Sequence, residues 1–283
     1  MATTDTAPNS KDLIERATRQ MDAAIAQIRK TGRVGDLLGE FMAAEADFRI
    51  AWQVLAATDR SQAVLPLVRS ADCLRISQQW VAAQRRYEEG LALARETGNK
   101  ELEAKIWFGI EKVQRIGGAN QGAAASAGAQ ALRLAREVKA EQLELDILSE
   151  LAEVESAGGN LHQAEEILDD VIKRSRELGA KEILQSALFG KSDVLHSKAE
   201  SLVNQFPNLK HTTKQEWRTC ETVATSARSA LSDAITMLVE SAALAKELGF
   251  DFLVSATSQE VDMMTQLEKS FEATYAVKKQ AHL

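Results

Sequence analysis

Apolar residues recur at spacings of three and four through almost the whole chain. Between Lys11 and Lys30 they fall at Leu13, Ile14, Ala17, Met21, Ala24, Ile25 and Ile28, one face of an amphipathic helix. Gly32 and Gly35 interrupt that face, and a second stripe runs from Leu37 through Phe41, Ala44, Phe48 and Trp52 to Leu55. The same pattern predicts helices over about 64–78, 80–97, 100–116, 120–138, 141–157, 161–178 and 181–203. Glycines and asparagines separate them: Gly98-Asn99, Gly117-Gly118, Gly158-Gly159-Asn160 and Gly179. Pro66 is expected in the first turn of its helix, where a missing N–H costs nothing. No segment alternates with period two, so essentially no strand is expected.

A phrase returns at the end of every second helix: LALARETGN at 91–99, LRLAREVKA at 132–140, IKRSRELGA at 172–180 and LAKELGF at 244–250. Ala94 to Ala135 is a step of 41 residues, Ala135 to Ser175 one of 40, and Ser175 to Ala245 one of 70. A fixed step of this size marks a helical repeat array, in which each unit packs mainly on its neighbours. The long last step implies an insertion at about 201–230. Its polar stretch NQFPNLKHTTKQ (204–215) is expected to be irregular, because Pro207 disfavours helix at Phe206. A long helix over about 214–248 and a last one over about 251–279 follow.

The chain therefore divides into a disordered tail (1–10), an N-terminal helical pair or cap (11–60), a repeat array (61–250) and a C-terminal capping helix (251–283). Hydrophobic residues make up 45% and aromatics 5%, so small side chains must do much of the packing. The net charge of −7 argues against general nucleic-acid binding, which needs a basic footprint. Cys73 and Cys220 have no metal or redox spacing. The opening MATTDTAPNS has no signal-peptide pattern and no run of eighteen apolar residues occurs, so a cytoplasmic protein without a membrane span is expected.

Little points to catalysis. His162, His196, His211 and His282 share no metal-ligand spacing, and no metal or other cofactor is expected. Glu165, Glu166, Asp169 and Asp170 lie on one helix with Lys173 and Arg174, which is ordinary ion pairing on an exposed face. The paired glycines follow no strand and cannot form a phosphate loop. The chain is expected not to be an enzyme.

Each second helix has a small residue followed one turn later by a bulky one: Ala83/Tyr87, Ala164/Leu168 and Ala234/Leu238. The helix over 120–138 has Ala124 but Gly128 at the bulky position. With the terminal phrase and the forty-residue step, this pattern resembles the tetratricopeptide repeat (TPR) family in a variant with long helices. It departs in lacking W-x-x-L-G-x-x-Y and in the insertion. The resemblance implies an all-α fold, a right-handed α-solenoid of helix-turn-helix repeats with capping helices at both ends. It also implies a non-enzymatic protein-interaction module, binding an extended or helical peptide in a concave groove lined by first helices.

On that basis the groove is expected to carry Val68, Asp72 and Arg75, then Lys105, Phe108, Lys112 and Arg115. Asp146, Ser149, Glu153 and Ser156 follow, and then Ser186, Phe189, Asp193 and His196. The basic patch at 105–115 would suit an acidic protein or peptide partner, with Phe108 and Phe189 as apolar anchors. Within the insertion, Phe206, Leu209 and Trp217 are candidates for a partner or dimer contact. The alternatives are a regulatory or sensory scaffold that acts on a separate effector by a change of curvature, and a self-assembling subunit. Homo-oligomers would form through the insertion or the C-terminal helix.

Overall fold

Short polar side chains open several of the helices. In the computed structural model, which describes residues 9–118 and 120–282, Asn9 accepts from the Lys11 amide at 3.1 Å and starts α1 (Ser10–Thr31). The expected tail lies outside the described residues as far as residue 8, and Ser10 is already helical. After a 3₁₀ turn comes α2 (Leu38–Thr58). Asp59 then accepts from the amides of Ser61 and Gln62 and opens α3 (Arg60–Ile76).

This start corrects the expectation for Pro66, which is a buried residue inside α3 and not in its first turn. Asp59 supplies a cap four residues earlier than the apolar pattern suggested. The carbonyl that Pro66 leaves without a donor belongs to Gln62, an exposed residue that water can reach.

Helices α4 (Trp80–Glu96), α5 (Lys100–Lys112), α6 (Gln121–Glu137), α7 (Glu141–Ala157), α8 (Leu161–Leu178) and α9 (Lys181–Gln205) follow through tight turns. A π-helical turn, Val113–Gly117, extends α5. Two long helices close the chain, α10 (Lys214–Glu247) and α11 (Asp251–His282). No strand is present among the described residues.

The repeated phrase is a helix stop built four times. The amides of Asn99, Ala140, Ala180 and Phe250 donate to the carbonyls of Ala94, Ala135, Ser175 and Ala245 at 2.8–2.9 Å. Those four small residues are fully buried, where a larger side chain would hold the helices apart. The residue before each of those amides has φ between 56° and 75°; it is glycine at 98, 179 and 249 and lysine at 139. Lys139 therefore holds the left-handed conformation with a side chain that disfavours it.

The chain forms two compact units, Met1–Ile147 and Leu148–Leu283. In the first, α2, α3 and α4 pack in succession and α5 packs on α6. Its main core gathers Val64, Leu67, Leu74, Tyr87, Leu91, Ile106 and Ile110, and a second core joins Met21 and Phe41 to Cys73. In the second unit, α8 packs on α9, α9 on α10 and α10 on α11.

The insertion is more ordered than its polar composition predicts, which is a second correction. Helix α9 runs to Gln205, and Phe206–Asn208 continues it as a 3₁₀ turn in spite of Pro207. Phe206 is fully buried against Phe271, with ring centroids 5.2 Å apart in an edge-to-face arrangement. The Lys278 ammonium donates to the carbonyls of Phe206 and Pro207 at 2.8 and 3.0 Å. A cation there satisfies groups that a helix end leaves open and opposes its negative pole.

Candidate functional site

Each unit has a cleft on its first-helix side. In the first unit it holds about 290 Å³, between α3, α5 and the start of α7. Asp72 and Arg75 reach it from α3, Lys105, Phe108 and Lys112 from α5, and Asp146 from α7; Val68 forms part of its floor. In the second unit a cleft of about 430 Å³ is lined by Ser149, Glu153 and Ser156 of α7 and by Ser186, Phe189 and Asp193 of α9.

Two candidates lie outside these clefts. Arg115 sits on the π-helical turn, where the extra residue changes its direction, and its Nε donates to Glu111 at 2.8 Å. His196 lies 3.6 Å from Glu200 on α9 and is not part of the cleft wall. The insertion residues face inward. Phe206 and Trp217 are buried, Leu209 is half-buried, and Tyr275 packs against both aromatic rings.

The sequence reading missed Leu65, Arg69, Leu102 and Leu143, which also line the first cleft. They precede the candidates by one turn on the same helices. The stripe drawn through Val68, Asp72 and Arg75 was too narrow, and Leu65 and Arg69 lie beside it on the same helix. Arg69 is the most consequential omission: it is half-buried, and among the described residues it carries no hydrogen bond or ion pair.

The other cations of this cleft already have contacts. Lys105 pairs with Glu101 at 2.6 Å, and the Lys112 ammonium lies 4.3 Å from the centre of the Phe108 ring. Arg75 Nε donates to the Tyr87 hydroxyl at 3.3 Å, and that hydroxyl donates to Asp72 Oδ1 at 2.6 Å. Burial, with Asp72 alongside, holds the Tyr87 phenol well above its usual pKa, so it stays a donor. Four cations against Asp72 and Asp146 leave the lining net positive.

Tyr87 also shapes the cleft. Its ring lies directly on the backbone of Gly109, where a Cβ would come within 2.5 Å of ring carbon Cε1 and 2.7 Å of the hydroxyl. The second unit repeats the arrangement 81 residues on, with Leu168 on Gly190, but there a Cβ would keep 3.6 Å. At Gly128, where the bulky residue is missing, the Glu111 side chain fills the space, its Cγ 3.5 Å from where a Cβ would stand.

The second cleft has the opposite electrostatics. Among the described residues the Asp193 carboxylate has no cationic partner, and its pKa is pushed up to about 6, first by burial and then by Glu260 and Glu153. Glu260 is raised by burial too, partly offset by His196. The folded chain therefore binds this proton more tightly than the unfolded chain, whose carboxyl titrates near 3.8. Stability is lost as pH rises from about 4 through 6 and stays lower above. Asp193→Asn should raise the thermal midpoint by about 2–4 °C at pH 7.5, after discounting for solvent screening, and by almost nothing at pH 4. Calorimetry at the two pH values checks this.

No group of three or more His, Cys, Asp or Glu among the described residues could hold a metal ion. Burial pushes the Cys73 thiol up to about 12, which leaves it unreactive. No helix among the described residues is long and apolar enough to cross a membrane.

No family model matches the chain and no curated protein matches it. Among solved structures, BtubC (BKLC) from P. vanneervenii is 16% identical with a TM-score of 0.49, over 80% of this chain and 93% of that one. The apo form of RapI is 14% identical with a TM-score of 0.48, over 94% and 88%. A TPR repeats protein from Bacteroides fragilis NCTC 9343 is 13% identical with a TM-score of 0.35, over 94% and 99%. The fold of this chain is TPR-like. That statement rests on its own helix pairs, with buried small–bulky positions at 83/87, 164/168 and 234/238 and the forty-residue stop.

Proposed function

We propose that this chain is a protein-interaction scaffold whose first-unit cleft takes a peptide segment bearing a carboxylate next to an apolar side chain. The observation that carries this reading is Arg69. A guanidinium without a partner, in a cleft with three further cations, offers a planar two-pronged donor that suits a carboxylate. Leu65, Leu102 and Phe108 give an apolar side chain somewhere to go. Most of the binding energy is assigned to these few anchors, and the charges set orientation and association rate.

An array of extended peptides tests the reading. The wild-type protein is expected to select peptides that combine Asp, Glu or a terminal carboxylate with a large apolar residue. The Arg69→Glu/Lys105→Glu/Lys112→Glu variant should lose that selection while its circular dichroism is unchanged, since none of the three side chains is a core residue. Selection of basic peptides by the wild type would contradict the proposal.

A further inference from the structure

Helix α11 has two distinct faces. Towards α10 it buries Thr257, Met264, Phe271 and Lys278 at a strict seven-residue step. A second stripe starts at Phe252 and runs through Met263 to Val277 at alternating steps of four and three, the spacing of a coiled-coil seam. It contains Phe, Met, Val, Ala, Gln and Ser; every Asp, Glu, Lys and Arg of α11 falls outside it. Phe252, Met263 and Val277 are 47%, 55% and 69% exposed. A terminal helix normally turns a charged face to water. This one keeps an uncharged seam there.

One edge of the seam carries Asp262 and Lys269, seven residues apart and both exposed. Neither makes an ion pair within the chain among the described residues. We propose that the seam binds a second copy of the same helix, antiparallel, about a twofold axis. Phe252 then lies opposite Val277 of the second copy, Ala256 opposite Ala273, and Met263 opposite Gln266. In this register like edges of the two helices meet, and Asp262 of each copy stands beside Lys269 of the other. The twofold makes both pairs at once, as an isologous contact must. A parallel arrangement would not bring these two residues together. The insertion offers no comparable surface, because Phe206 and Trp217 are used inside the unit.

The seam is about 40 Å long and about 10 Å wide. Two copies so joined bury area near the lower limit for a specific interface, about 1,000 Å². The association is thus weak and reversible, in the micromolar range, and independent of what the first cleft binds.

Sedimentation equilibrium between about 5 and 300 μM tests it. The wild type is expected to move from monomer to dimer across this range. Asp262→Lys alone and Lys269→Asp alone each place like charges opposite and should weaken association about tenfold. An equimolar mixture of these two variants should dimerise at least as well as the wild type, since only the heterodimer regains both opposite-charge pairs. Mixed Ala256→Cys and Ala273→Cys proteins should form a disulfide-linked heterodimer on mild oxidation, whereas neither should cross-link to itself. Asp262, Lys269 and Ala273 are exposed, and at the half-buried Ala256 a cysteine adds only one atom, so folding is not at stake. A wild type that stays monomeric throughout, single charge variants that associate as well as the wild type, or a mixture no stronger than its components would each overturn the proposal.

Discussion

Gly109→Ala should be among the most damaging single-methyl changes in the first unit, costing about 3 kcal/mol or more. The added Cβ would meet the fully buried Tyr87 ring at 2.5 Å, and that ring is held by Asp72 and Arg75 through its hydroxyl. Neither the backbone of α5 nor the ring has room to give. Gly190→Ala is the matching change two repeats on and should do the reverse. Leu168 stands 3.6 Å from the new Cβ, an ordinary contact, so the gain in helix propensity prevails, up to about 1 kcal/mol. Tyr87→Leu should restore much of the stability of Gly109→Ala by copying the Leu168/Gly190 pair. Urea titration of the four proteins and the wild type, followed by circular dichroism, checks the set. Equal midpoints for Gly109→Ala and Gly190→Ala would show that the two sites are packed alike after all.

Phe206→Ala should cost about 3–5 kcal/mol, as large-to-small changes of buried aromatics do. The ring touches Phe271 and Tyr275, and the Lys278 ammonium lies 5.1 Å from its centre. Its loss opens a cavity beneath the point where Lys278 reaches the end of α9. The change should therefore release the C-terminal half of α11 before the rest of the second unit unfolds. Trp217, stacked on His282 with ring centroids 4.7 Å apart, is a nearby fluorophore. Red-shifted tryptophan emission at denaturant concentrations that leave total helicity near its native value is the expected sign. Lys278→Met should have a smaller effect in the same direction, since it removes the cap but keeps the aromatic packing.

These two sites show what the sequence could and could not convey. Helix stops were legible because their chemistry is local: the phrase at Ala94, Ala135, Ser175 and Ala245 carries its own glycine or lysine turn. That Lys105, Phe108 and Asp193 face clefts was legible because three–four spacing on a helix settles which residues share a face. The start of α3 was not, because Asp59 as a cap outweighs a proline placed seven residues on. Arg69 was left out for a different reason: it lies one residue past Val68, beside a stripe drawn only through Val68, Asp72 and Arg75. Phe206 was misread because its neighbours are polar, and what buries it comes from Phe271 and Lys278, more than sixty residues further along the chain. Arg115 was misplaced because a π-helical turn breaks the spacing on which the expectation relied.

On the proposed function, the first cleft reads negative charge through Arg69 and its cationic neighbours. Isothermal titration with an extended peptide carrying a Glu and a Leu, and with the same peptide bearing Lys in place of Glu, tests it most directly. The wild type is expected to bind the Glu peptide at least tenfold more tightly, and Arg69→Glu/Lys105→Glu/Lys112→Glu to reverse the preference. Equal affinity for the two peptides, or the same preference in both proteins, would contradict it.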